Sequence, residues 1–83
     1  MTHLLNENDF LKTQDLALAS AIFLFFPLEA IDRTNTRKAS FLFKREPGLD
    51  ELIESYWRRE LKVDPQSYYD AMRVIKGRLY GAD

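Results

Sequence analysis

The chain of 83 residues contains no cysteine. That excludes a disulfide framework and a thiolate zinc site, the usual staples of so small a domain. Histidine is almost missing as well. His3 is the only one, and it stands in a polar N-terminal stretch where little would position it for acid–base work or metal ligation. The three glycines, Gly48, Gly77 and Gly81, are too scattered for a phosphate-cradling loop. Met1 to Glu7 lacks the basic and apolar regions of a signal peptide. No apolar run approaches the roughly 20 residues of a membrane-spanning helix. The expectation is a soluble cytoplasmic protein with no membrane role, no cofactor, no metal and no enzymatic activity.

Charge of one sign is also lacking, since the formal net charge is -1. This argues against a globally basic nucleic-acid binder. The distribution is uneven, however. Up to Asp32 the chain carries one cation, Lys12, against five acids, Glu7, Asp9, Asp15, Glu29 and Asp32. Arg33, Arg37, Lys38, Lys44 and Arg45 then follow with no acid among them. A local basic patch is therefore compatible with a neutral whole.

What the sequence does have is one very apolar stretch, Leu16 to Phe26, in which Ser20 is the only polar residue. A helix apolar on every side belongs in the interior with the rest of the chain around it. Its seven large side chains (Leu16, Leu18, Ile22, Phe23, Leu24, Phe25 and Phe26) would gain roughly 10–20 kcal/mol gross on full burial, before chain entropy is charged. That matters in a domain that buries only roughly 60–65% of its unfolded surface.

Taken in order, residues 1–9 read as a flexible tail and 10–83 as one compact domain. Phe10 and Leu11 read as the first anchored residues. Thr13 reads as an N-cap and Asp15 as a first-turn acid, which predicts a helix from Gln14 to about Leu24 or Phe25. Pro27 pushes Phe26 out of the helical region and into the next element. Phe26 to Ile31 and Ala39 to Lys44 then alternate with period two around Thr34-Asn35-Thr36-Arg37, the pattern of a β-hairpin. Pro27 places the first strand at an edge.

After Pro47-Gly48, residues Leu49, Leu52, Ile53, Tyr56, Trp57 and Leu61 form the apolar stripe of a second helix. Asp50 and Glu51 suit its first turn, Arg58 and Arg59 its last, and Glu54 pairs with Arg58 at i,i+4. Asp64-Pro65 opens a third helix, with Tyr68, Met72, Ile75 and Leu79 as its buried row and Gly81 as its end. Gly77 inside that helix implies close packing or an early stop. No internal repeat or low-complexity segment interrupts this plan. The fold expectation is α+β in the order α-β-β-α-α, hairpin and C-terminal helices packed around the first helix.

Phe10-Leu11-Lys12-Thr13-Gln14-Asp15-Leu16, Leu28-Glu29-Ala30-Ile31-Asp32-Arg33, Phe41-Leu42-Phe43, Tyr56-Trp57 and Ile75-Lys76-Gly77-Arg78-Leu79-Tyr80 follow one another in this order. This succession, from Phe10 to Gly81, resembles a family of short prokaryotic and phage-associated proteins of unknown function. The resemblance implies a self-contained small domain without an assigned activity, so no catalytic residue carries over.

Three constellations remain as candidate sites. Glu29 and Asp32 lie three apart on a strand and face opposite ways, so they are no carboxylate pair. The hairpin is the first candidate: Arg33, Asn35, Arg37, Lys38, Lys44 and Arg45 can hold phosphates, or simply keep the hairpin soluble and unpaired. The second and third helices can be read as helix-turn-helix, with Gln66, Ser67, Asp70 and Arg73 outward, or as an ordinary αα-hairpin. Lastly, Phe26, Tyr69 and Tyr80 are aromatics that a small core need not absorb, and exposed aromatics mark partner interfaces. The leading expectation is a non-catalytic binding module, nucleic-acid-associated through the hairpin. The alternative is a protein-interaction or self-assembling module that uses its exposed aromatics.

Overall fold

An eight-residue helix that is apolar on every side has to be covered on every side, and α1 (Leu16–Phe23) is. In the computed structural model, which describes residues 9–34 and 38–81, five consecutive residues of this helix from Leu18 to Ile22 are buried. Ser20 sits at zero exposure there without penalty, because its hydroxyl donates to the Leu16 carbonyl one turn back at 2.8 Å. Leu18, Ala19 and Ile22 share one core with Leu28, Phe41, Phe43, Leu49 and Ile75.

The observed order is β1 (Phe10–Thr13), α1, β2 (Ala30–Asp32), β3 (Ser40–Lys44), α2 (Leu49–Trp57) and α3 (Pro65–Tyr80). The class is α+β as expected, with one strand more than the sequence suggests. That strand, β1, is four residues long and pairs antiparallel with β3, which also pairs antiparallel with β2. The sheet order is β1-β3-β2. Its register places Leu11 opposite Phe43, and Thr13 and Ile31 on either side of Phe41, all on the face toward the helices. Phe10, Lys44, Lys12, Leu42, Ala30, Ser40 and Asp32 occupy the other face. Asp9, assigned to a tail from sequence, accepts the Arg45 amide at 3.0 Å; the rest of that tail lies outside the described residues.

Two boundaries of α1 move. Thr13 closes the strand, and Asp15 is the N-cap, its carboxylate accepting from the Ala17 and Leu18 amides at 2.9 and 3.2 Å. At the other end the Phe26 amide still bonds to the Ile22 carbonyl at 2.8 Å, so Phe26 completes the last turn of α1 instead of opening a strand. Its ring packs against the core and over Gly48, whose φ of 92° makes glycine the suitable residue before α2. Of the seven large residues in the stretch, Phe25 is 54% exposed. Full burial of all seven is therefore not reached.

Helix α2 buries Leu49 and packs Leu52, Ile53 and Tyr56 against the core. It ends earlier than the apolar spacing predicts. The Glu60 amide reaches the Ser55 carbonyl at 2.9 Å and the Arg59 amide the Tyr56 carbonyl at 3.0 Å, the double closure of a Schellman motif. Arg59 occupies the left-handed position of that motif with φ 64°, where glycine is favoured and any other ordinary residue costs roughly 1–2 kcal/mol. Leu61 therefore lies beyond the helix, and Trp57, placed in the buried row by spacing, is 61% exposed.

Helix α3 starts as its sequence announces. Asp64 accepts the Ser67 amide at 2.8 Å, and Pro65 takes the first helical position. Ala71 and Ile75 form its buried row, flanked by half-buried Tyr68, Met72 and Leu79. The Tyr68 hydroxyl donates to the Ala17 carbonyl at 2.9 Å and so pins α3 to α1. Gly77 neither ends the helix nor packs closely, since a Cβ built there meets nothing within 4 Å. Gly77→Ala should therefore stabilise the domain by about 1 kcal/mol, read as a rise in Tm of about 4–8 °C; an unchanged or lowered Tm would contradict this account of the site.

Candidate functional site

Among the described residues, Arg33 and Arg45 of the hairpin run are engaged at separate places. Arg33 follows β2 and reaches the end of α3. Its guanidinium donates to the carbonyls of Arg78 and Leu79 at 2.7 and 3.1 Å, two of the acceptors that the last turn of α3 leaves without helical partners. Arg45 pairs with Asp50 in the first turn of α2 at 3.0 Å. Lys38 and Lys44 are exposed, Lys44 on the outer sheet face opposite Phe10. Asn35 and Arg37 lie outside the described residues.

The outer sheet face holds a polar cleft of about 480 Å³ lined by Lys12, Thr13, Gln14, Asp32, Thr34 and Ser40. An ion pair already occupies it, Lys12 to Asp32 at 2.9 Å, joining the two edge strands across β3. Asp32 also accepts from the Thr34 amide and hydroxyl at 2.9 and 2.8 Å. Lys12 first, then Thr34, holds the Asp32 carboxyl well below its usual range. The cleft is consequently closed upon its own charges. His3 lies outside the described residues, and among those described no group of three or more His, Asp or Glu residues could hold a metal ion.

The aromatics separate. Phe26 is half-buried and packed against the core. Tyr69 and Tyr80 are exposed, at 61% and 77%. They are 11 residues apart on α3, about three turns, and therefore share one stripe of the helix. Arg73 lies between them with its guanidinium 5.9 Å from the centre of the Tyr69 ring, and exposed Lys76 continues the stripe. Val74, 48% exposed, borders a neighbouring groove of about 340 Å³ walled by Phe23, Leu24, Ser67, Asp70 and Ala71. Sequence reading overlooked Val74 and Trp57 as exposed apolar residues, whereas the exposure of Phe25 accords with a core too small for every aromatic. The i, i+4, i+7, i+11 spacing of Tyr69, Arg73, Lys76 and Tyr80 was the available signal for the stripe itself.

Gln66, Ser67, Asp70 and Arg73 are outward on α3 as a helix-turn-helix would have them. Asp64, however, is engaged as N-cap, and Asp70 stands beside them as an acid that would repel phosphate.

A profile for a domain of unknown function, DUF5659, matches residues 8–81. The chain belongs to that family. No curated protein and no solved structure matches it. The DUF5659 match covers β1 to α3 entire, so the described elements make up one family unit.

Two substitutions check these contacts. Arg33→Ala should lower stability by about 1 kcal/mol, through loss of the hydrogen bonds that its guanidinium gives to the end of α3, with a reduced urea midpoint as readout. Asp32 titrates in the folded state below its unfolded value of 3.8, so its contribution is present above about pH 4 and disappears as pH falls toward the folded value. Asp32→Asn should lower the urea midpoint at neutral pH and flatten the acid limb below about pH 4. Asp64, depressed chiefly by the Ser67 amide, supplies part of the limb that remains. An unchanged limb would refute the Lys12–Asp32 pairing.

Proposed function

We propose that this domain is a non-catalytic binding module that engages a protein partner through the outward stripe of α3. The observation that carries the reading is the exposure of Tyr69 and Tyr80 on one helical face, with Arg73 and Lys76 between them. Tyrosine and arginine are the residues most enriched where binding energy concentrates, because rigid rings and planar guanidinia lose little freedom on contact.

Charge selects the kind of partner. From Arg73 to Tyr80 the helix carries three cations and no acid. A second α3 laid antiparallel on this stripe would set Arg73 against Lys76, and one laid parallel about a two-fold axis would set Arg73 against itself. Like charges so placed cost several kcal/mol. The stripe therefore favours an acidic partner segment with apolar residues over a second copy of this chain.

Among the described residues, the nucleic-acid reading rests on exposed Lys38 and Lys44, because Arg33 and Arg45 are engaged within the fold. Two such cations support only weak, strongly salt-dependent binding. As part of the same proposal, the likeness to short prokaryotic and phage-associated proteins supports an accessory role beside other proteins in the cytoplasm.

Amide chemical shifts of labelled protein at low salt test the choice. An acidic amphipathic peptide of about 20 residues, long enough to hold a helix, should perturb the α3 stripe from Tyr69 to Tyr80. Arg73→Glu with Lys76→Glu should weaken that binding by at least about tenfold, about 1.4 kcal/mol. A silent α3, with shifts at Lys38 and Lys44 on adding a single-stranded oligonucleotide of about 16 nucleotides, would overturn the reading in favour of nucleic acid.

A further inference from the structure

Arg59 is the one non-glycine residue with positive φ among the described residues. It holds the left-handed position of a complete Schellman closure, where glycine would relieve the backbone at once. Its side chain takes part in none of the ion pairs among the described residues. What Arg59 does do is line a pocket of about 310 Å³ together with Ala21 of α1, Tyr56 of α2, Leu61, Val63 and Tyr68 of α3.

That pocket has the parts of a small-molecule site. Its volume is at the lower end for ligand cavities, its walls are mainly apolar and aromatic, and one charged group stands among them. Ala21 is buried, and the Tyr68 ring is held in place by its hydroxyl bond to the Ala17 carbonyl. Burial raises both phenols above their usual range, aided by Asp15 at Tyr56 and by Tyr56 and then Asp15 at Tyr68. The Asp15 carboxylate itself is turned to the Ala17 and Leu18 amides at the start of α1. A residue held in a sparsely populated backbone region at the wall of a pocket is a candidate for a role there.

We propose that this pocket binds a small aromatic carboxylate, its ring against Tyr56, Tyr68 and Val63 and its anionic group on Arg59. The site is separate from the α3 stripe, and neither proposal depends on the other.

The reporter is already in place. Trp57 is the only tryptophan of the chain, and its ring stands edge-on to Tyr56 at 5.0 Å between centroids. Phenylacetate should produce a saturable change in Trp57 emission with a dissociation constant at or below about 1 mM. Phenethylamine, with the same ring and the opposite charge, should bind at least about tenfold more weakly, as should acetate, which lacks the ring. Arg59→Asn keeps a residue that tolerates the left-handed region but removes the cation, and should weaken phenylacetate binding by at least about tenfold. Arg59→Gly should do the same while raising Tm by about 4 °C or more. Absence of saturation in the parent protein, equal response to phenethylamine, or undiminished binding in either Arg59 variant would each overturn the proposal.

Discussion

Everything in this structure depends on covering α1. A helix of eight residues, with five consecutive ones buried, offers no solvated face on which it could rest. The sheet supplies Phe41 and Phe43, α2 supplies Leu49 and α3 supplies Ile75, each at 2% exposure or less. Because a chain this short has a high ratio of surface to volume, no element can be spared from that task. The same constraint explains the economy of polar groups inside. The Ser20 hydroxyl and the Tyr68 hydroxyl both find carbonyls of α1, and no buried side-chain polar atom among the described residues lacks a partner.

Wrapping α1 also decides where the charges go. The short edge strands and the helix ends leave backbone and side-chain groups that need counterparts, and the hairpin cations provide several of them. Arg33 closes the carbonyl end of α3, Arg45 meets the acidic start of α2, and Lys12 ties β1 to the Asp32 end of β2. A cluster of like charges in sequence thus becomes a set of separate local neutralisations in space. Each exposed pair is individually weak. Their joint effect is to fasten the sheet to the helices at two points, α3 and α2, and its two edge strands to each other at a third.

Features carried by neighbouring residues could be read directly. The Asp64-Pro65 helix start, the Leu49-Leu52-Ile53-Tyr56 row, the Glu54–Arg58 pair and the alternation of Ser40 to Lys44 all appear where spacing puts them. Features that depend on a distant partner could not. Four residues, Phe10 to Thr13, become a strand only because β3 lies beside them, and as an isolated tetrapeptide they carry no decisive pattern. The end of α2 was misplaced because Leu61 keeps helical spacing while Arg59 turns left-handed, which apolar periodicity does not register. Arg33 read as part of a phosphate grip because its acceptors at Arg78 and Leu79 are 45 and 46 residues away. Tyr69 and Tyr80 are exposed, in keeping with a core too small to absorb every aromatic.

The positions that do not serve the wrapping are therefore the informative ones. Most local choices agree with the fold: Asp15 and Asp64 cap, Gly48 takes a positive φ, and Ser20 satisfies itself. Three do not. Gly77 leaves a gap in an exposed helix face, Arg59 sits where glycine belongs, and Tyr69 and Tyr80 place large rings in water. In a small domain of marginal stability, such departures concentrate where a surface is kept for something outside the chain. Here two of the three lie on α3 and the third at the pocket between α2 and α3. The third helix is consequently both a wall of the core, through Ile75, and the element whose exposed face departs most from what the wrapping alone requires.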